Sequence, residues 1–162
     1  MTKKIEYTLI ILLACLVVFG IVLTSVMLAN RNTVQDSIIL KGDGVIQEEL
    51  NVELGSMYPG ESREYTVSLQ NTTEKRYDIG ISFAPGETVT LAEYVDLEII
   101  CGNTTLSKAT LSEFLYGEEI TFAMEAETET LVFRYSIPLN VGNEAQSAAA
   151  EFDITINAHP GV

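Results

Sequence analysis

From residue 46 onward the chain repeats its apolar residues at every second position, in short runs separated by turn-forming residues. Leu50, Val52 and Leu54 alternate with polar neighbours, and Tyr58-Pro59-Gly60-Glu61 interrupts them. Proline fixes one backbone dihedral in such a turn, and glycine accepts a positive φ. Tyr65, Val67 and Leu69 resume the pattern. Tyr77, Ile79, Ile81 and Phe83 repeat it up to Pro85-Gly86, and Val95, Leu97, Ile99 and Cys101 up to Gly102-Asn103. Ile120, Phe122 and Met124 follow, then Leu131, Phe133, Tyr135 and Ile137 up to Pro138, and finally Phe152, Ile154, Ile156 and Ala158. A period of two places alternate side chains on opposite faces of a strand, so each run offers one apolar face for burial. With Ser37–Lys41, which contains Ile38, Ile39 and Leu40, these runs predict seven or eight strands. Leu111, Phe114 and Leu115 recur at spacings of three and four, which predicts a short helix or irregular crossover over 107–116. No strand-helix-strand unit repeats. The expected fold is therefore all-β, an antiparallel sandwich of two sheets, with an open barrel as the alternative.

The segment from about Thr8 to Ala29 has a different character. It is apolar apart from Thr24 and Ser25, follows Lys3 and Lys4, and as a helix would extend about 33 Å, enough to cross a bilayer core of about 30 Å. Three readings fit it: an uncleaved transmembrane anchor, a signal peptide cut after Ala29, or a buried core helix. The lysines favour the inner side, which would place the rest of the chain outside. The expected organisation is a signal-anchor or signal peptide at 1–29, a hinge at 30–36, a sandwich at 37–159 and a tail at 160–162. The expected location is the extracellular face of the cell membrane, or the extracellular matrix if the chain is cut and secreted.

Charge narrows the partners. The chain has 23 acidic and nine basic residues, a formal net charge of -14. Lys3, Lys4 and Glu6 precede residue 30, so the remainder holds 22 acidic and seven basic residues. Such a field repels phosphate backbones and excludes nucleic acid as a partner. Cys15 and Cys101 are the only cysteines, one inside the apolar segment and one outside it. No intrachain disulfide is expected, and stability must come from a core. Leu12-Leu13-Ala14-Cys15 matches a lipoprotein processing box superficially, but the apolar run continues well past the cysteine.

No residue pattern announces catalysis. The one histidine, His159, stands beside Pro160 near the C-terminus, where a frayed end is expected. There is no HExxH, no histidine-cysteine cluster and no glycine-rich phosphate loop. Glu48-Glu49 and Glu118-Glu119 are adjacent pairs, which point to opposite faces if extended. Glu125, Glu127 and Glu129 could share a face, but no Asp/Asn/Gly calcium register accompanies them. A hydrolase built on two converging carboxylates is the remaining enzymatic alternative. We therefore expect a non-enzyme with no catalytic residue, cofactor or metal. Asn71-Thr72-Thr73 and Asn103-Thr104-Thr105 are sequons at predicted turns.

Taken together, the N-terminal export segment, the stretch Met57-Tyr58-Pro59-Gly60-Glu61-Ser62 running on to Leu69-Gln70-Asn71, and Asn143-Glu144-Ala145-Gln146 leading into Phe152-Asp153-Ile154-Thr155-Ile156 resemble the camelysin and TasA group of bacterial surface and biofilm-matrix proteins. The resemblance implies a jelly-roll-like fold and, as in some members, fibres formed by lending an N-terminal strand to a neighbour. On this chain the donor would lie between Asn30 and Leu40, with Ile38, Ile39 and Leu40 as the self-associating plug. The leading expectation is thus a structural or matrix-fibre subunit that self-associates through strand donation or sheet-edge pairing, or that pairs with another surface protein. It would reach the membrane through residues 8–29 if uncleaved. The alternative is a monomeric, membrane-anchored binding module for a protein or glycan, using loops such as Pro85–Glu93 and Asn140–Ser147.

Overall fold

The computed structural model describes residues 33–40, 45–125 and 127–161. The chain divides at Thr33, and the sandwich belongs to Val34–Val162. Among the described residues nine strands follow in order: β1 Thr33–Leu40, β2 Ile46–Leu54, β3 Ser62–Asn71, β4 Tyr77–Pro85, β5 Asp96–Cys101, β6 Thr104–Thr110, β7 Ile120–Met124, β8 Thr128–Ser136 and β9 Ala150–Pro160. A five-residue helix, α1 (Leu111–Leu115), joins β6 to β7.

The strands form two sheets, one ordered β1-β3-β8-β5-β6 and the other β2-β9-β4-β7. From β2 to β5 each strand lies in the sheet opposite its predecessor, and the same holds from β6 to β9. This is the exchange between sheets of a double-sheet jelly roll. It joins residues far apart in sequence: Leu50 faces Ile154, and Tyr65 faces Phe133. The alternating runs supply the inner faces. Val67, Leu69, Ile79, Ile81, Leu97, Ile99, Leu131, Phe133, Phe152 and Ile154 are all fully buried. Phe83 bridges the layers, with its ring centroid 5.4 Å from Phe114 and 6.2 Å from Phe133.

Local chemistry sets the ends of these elements. Pro59 and Gly60 form the expected turn; Gly60 has φ +82, and Glu61 N donates to Tyr58 O at 2.9 Å. A positive φ at the third position is what a proline-glycine type II turn requires. The hairpin between β5 and β6 depends on Gly102, at φ +55. α1 starts with a capping box: Thr110 Oγ1 accepts from Glu113 N at 3.3 Å, and Glu113 Oε2 accepts from Thr110 N at 2.9 Å. At Gly86 an added Cβ would lie 2.6 Å from Glu151 O, so only glycine permits this approach.

Several expectations are corrected here. The described sandwich has nine strands, not seven or eight. The missed strand is β6, an edge strand with no buried residue, whose sequence Thr-Thr-Leu-Ser-Lys-Ala-Thr therefore needs no apolar alternation. The segment 8–29 lies outside the described residues, and among those described no helix is long and apolar enough to cross a membrane. The expected transmembrane or signal helix thus falls wholly outside the described residues, which contain no such element. The expected membrane attachment, and with it the placement on a membrane face or in a secreted matrix, receives no anchor from the described domain.

The fibre-subunit reading is corrected as well. β1, the segment expected to be lent to a neighbour, occupies the edge of its own five-stranded sheet beside β3. Ile38 and Leu40 are buried in their own core, while Ile39 on the other side is exposed. Leu40 O accepts from Thr72 N at 3.2 Å and from Thr72 Oγ1 at 2.9 Å, which fastens the end of β1 to the turn after β3. A strand satisfied within its own chain has no unmet hydrogen bonds on that side to drive donation.

Candidate functional site

The jelly-roll order brings four connections to one end of the sandwich: Gly55–Glu61, Gly86–Val95, α1 to Glu119, and Ile137–Ala149. Hydrogen bonds brace them against one another. Gly60 N donates to Ile137 O at 2.8 Å and Ile137 N to Glu61 O at 3.0 Å. Leu91 N donates to Ala149 O at 3.0 Å, Glu151 N to Thr88 O at 2.6 Å, and Ser112 N to Ala92 O at 3.1 Å. The sequence-named loops Pro85–Glu93 and Asn140–Ser147 thus meet at the same end. Within the second, Asn143–Ser147 forms a 3-10 turn.

This end exposes apolar side chains that the strands do not need. Tyr58 is 61% exposed, Tyr116 70% and Leu139 84%. Met57 beside Tyr58 is fully buried and anchors that loop, and α1 buries Leu111, Phe114 and Leu115 beneath Tyr116. Large apolar groups held out on rigid loops lose little freedom on binding, which is what interface anchors need.

The electrostatics are one-sided. The four connections contain Glu61, Glu87, Glu93, Glu113, Glu118, Glu119 and Glu144 and no lysine or arginine. The nearest base, Arg63, is already engaged: its Nε donates to Glu61 Oε1 at 2.8 Å and its Nη2 to Ser56 O at 2.8 Å. At the opposite end, the β3–β4 and β7–β8 connections hold Glu74, Glu125 and Glu127 together with Lys75 and Arg76, a more nearly balanced set. A cavity of about 280 Å³ opens at the loop end, lined by Glu53, Leu54, Gly55, Thr88, Ala149, Ala150 and Glu151. Glu53 and Glu151 occupy paired positions across β2 and β9, so the cavity lining includes two acidic side chains.

The other sequence candidates do not converge. His159 lies within β9 opposite Asp78, rather than on a frayed end. Glu48 and Glu49 are both exposed on β2. Glu119 packs over Gly80 and accepts from Asn157 Nδ2 at 3.1 Å. Glu125 lies 4.0 Å from Arg76, whereas Glu129 takes the Cys101 thiol hydrogen bond at 3.5 Å. Burial, then the charge of Glu129, pushes the Cys101 thiol up to about 11, which keeps it protonated and unreactive. Asn71 Nδ2 donates to Lys75 O at 2.7 Å and its Oδ1 accepts from Thr73 N, so this sequon amide closes the β3–β4 turn. Among the described residues no group of three or more His, Cys, Asp or Glu could hold a metal ion.

Sequence reasoning named two of the loops but not Tyr58, Tyr116 and Leu139 as surface anchors. Leu139 carried a signal: it sits just after the strand-ending Pro138, in a polar stretch where alternation has stopped.

No family model matches the chain, and no curated protein matches it. Among solved structures it is similar to PliG of Aeromonas hydrophila, a periplasmic inhibitor of g-type lysozyme, at 5% identity and TM-score 0.44, over 78% of this chain and 99% of that one. It is also similar to FlhE, at 11% identity and TM-score 0.42, over 75% and 100%. A third is the Bacillus thuringiensis insecticidal delta-endotoxin Cry8Ea1, at 14% identity and TM-score 0.38, over 69% and 20%. At these values none of them assigns a function.

Proposed function

We propose that the protein is a non-enzymatic binding module that recognises a basic polypeptide through the loop end of its sandwich. The observation that supports this is the pairing of Tyr58, Tyr116 and Leu139, all exposed, with seven carboxylates and no base on the same four connections. Aromatic anchors supply contact area, and the acidic surround selects and steers a cationic partner. The cavity lined by Glu53 and Glu151 would take a lysine or arginine side chain, whose charge the two acidic side chains attract. Kinship with the camelysin and TasA group is proposed on the sequence stretches that resemble it, and it brings no fibre assembly with it.

The test is selection of random displayed peptides against the full-length chain. Selected peptides should be enriched in lysine and arginine interspersed with apolar residues. Their affinity should fall about ten-fold or more in Tyr58→Ala or Tyr116→Ala, a loss typical of an interface anchor. Peptides without a charge bias, or affinity untouched by both substitutions, would defeat the reading.

A further inference from the structure

Away from the loop end, a groove of about 580 Å³ runs along the outer face of the five-stranded sheet, lined by Asp36, Ser37, Thr66, Ser68, Gln70 and Thr130. All six side chains are polar, and five of them are uncharged. Thr66, Ser68 and Gln70 occupy every second position of β3, so they project from one face at steps of about 6.8 Å. Thr130 of β8 stands directly opposite Ser68. Among the described residues, no side-chain hydrogen bond occupies Thr66, Ser68, Gln70 or Thr130. Their donors and acceptors all remain available.

Asp36 is held differently. Its Oδ1 accepts from Ser37 N at 2.8 Å, and its Oδ2 lies 3.4 Å from the Tyr65 hydroxyl. Burial, then the charge of Asp36, raises the Tyr65 phenol above its ordinary range, so it stays protonated and able to donate. The carboxylate is fixed at the rim of the groove with lone pairs to spare. Beyond Thr66 and its cross-strand partner Val132, the groove gives way to a row of charges in which Arg134 pairs with Glu64 at 2.8 Å and Glu98 at 3.2 Å.

We infer that this groove binds a neutral, hydroxyl-rich chain, an uncharged oligosaccharide. Hydroxyl and amide groups both donate and accept, as sugar hydroxyls do, so each can pair whichever way the sugar presents itself. An anionic ligand would meet no cation in the groove and an overall charge of -14. A cationic one, though drawn by the overall charge, would find in the groove a single carboxylate, already holding two donors. An apolar one would leave the whole lining unpaired, at a cost for every polar group it desolvates. The volume falls within the range of about 300–1,000 Å³ usual for ligand sites.

The test titrates the full-length chain with three neutral probes, cellohexaose, maltohexaose and chitohexaose. The glucosamine hexamer serves as a cationic control and the galacturonate hexamer as an anionic one. Amide shifts and calorimetry report the binding. At least one neutral probe should bind saturably and shift the amides of Thr66, Ser68, Gln70 and Thr130, while the charged hexamers shift those four amides less. The triple variant Thr66→Val, Ser68→Ala, Thr130→Val should weaken binding about ten-fold or more without changing Tm. Should that variant lose its cooperative thermal transition, Gln70→Ala, at an exposed position, supplies the same comparison with an expected loss of about three-fold. Failure of every neutral probe, larger shifts at Thr66, Ser68, Gln70 and Thr130 with the glucosamine hexamer than with any neutral probe, or full affinity in the variants would each overturn the inference. So would shifts confined to the loop end.

Discussion

Tyr135 is 1% exposed, its ring lies 5.9 Å from that of Phe152, and its hydroxyl is buried with no hydrogen-bond partner among the described residues. Replacing it by phenylalanine keeps the ring and its contacts and removes only the orphaned oxygen. Burying an unpaired hydroxyl costs about 1–3 kcal/mol, and the space vacated is too small to admit a water. Tyr135→Phe should therefore stabilise the sandwich by about 1–2 kcal/mol, or raise Tm by about 3–10 °C for a domain of this size. Burial raises the phenol pKa far above its ordinary value of 10.0, with the charge of Tyr65 adding to the shift. The folded chain thus keeps its proton at pH values where the unfolded chain releases it. Below about pH 10 the two states bind the same number of protons at this site and no pH dependence arises. Above it the unfolded state binds fewer, so wild-type stability falls by up to about 1.4 kcal/mol per pH unit from this group alone. The variant lacks that loss, and its advantage should widen between pH 10 and 11 while the other tyrosines cancel in the difference. Urea unfolding followed by far-UV circular dichroism at pH 7, 9, 10.5 and 11, with equal m-values, measures both effects. A variant less stable than wild type by more than about 0.5 kcal/mol at pH 7 would refute the reasoning, as would a difference that stays flat across the alkaline range.

Cys101, with its thiol pushed up from 9.0 to about 11, should be alkylated by iodoacetamide at pH 8 about 100-fold more slowly than a free cysteine. Glu129→Gln should speed the reaction, since it removes the charge that opposes the thiolate; peptide mapping separates Cys101 from Cys15, and a native rate equal to that of free cysteine would contradict the burial. Arg134→Ala leaves Glu64 and Glu98 without their shared cation. Because the three side chains are 42%, 38% and 21% exposed, the cost should be about 0.5–1.5 kcal/mol, shrinking markedly in 1 M salt. An unchanged cost at high salt would show that lost packing, not charge, is responsible.

The core was legible because burial and periodicity are the same constraint. A strand half-buried in a sandwich must alternate, and Leu131, Phe133, Tyr135 and Ile137 do so and are all buried. The Pro59-Gly60 turn could likewise be read from the backbone preferences of its two residues. β6 could not: an edge strand with one neighbour and little core contact can be written in threonine, serine and lysine. The helix signal at Leu111, Phe114 and Leu115 was correct, but its start was not, because Thr110 belongs both to the end of β6 and to the cap of α1.

The sequence by itself determined that the sandwich is all-β, that the chain is acidic and that it carries no recognisable catalytic motif. These properties reside in periodicity, composition and residue type, which need no knowledge of neighbours. Only the tertiary structure decided where β1 goes and which loops meet. β1 is an equally good strand for its own sheet or another's, and its burial beside β3 is a matter of pairing, not pattern. Tyr58, Tyr116 and Leu139 read as ordinary apolar residues until the strand order gathers their loops at one end. Thr66, Ser68, Gln70 and Thr130 read as polar filler until β3 and β8 pair in register. Pairing acts between residues tens of positions apart, and a single sequence does not display that distance.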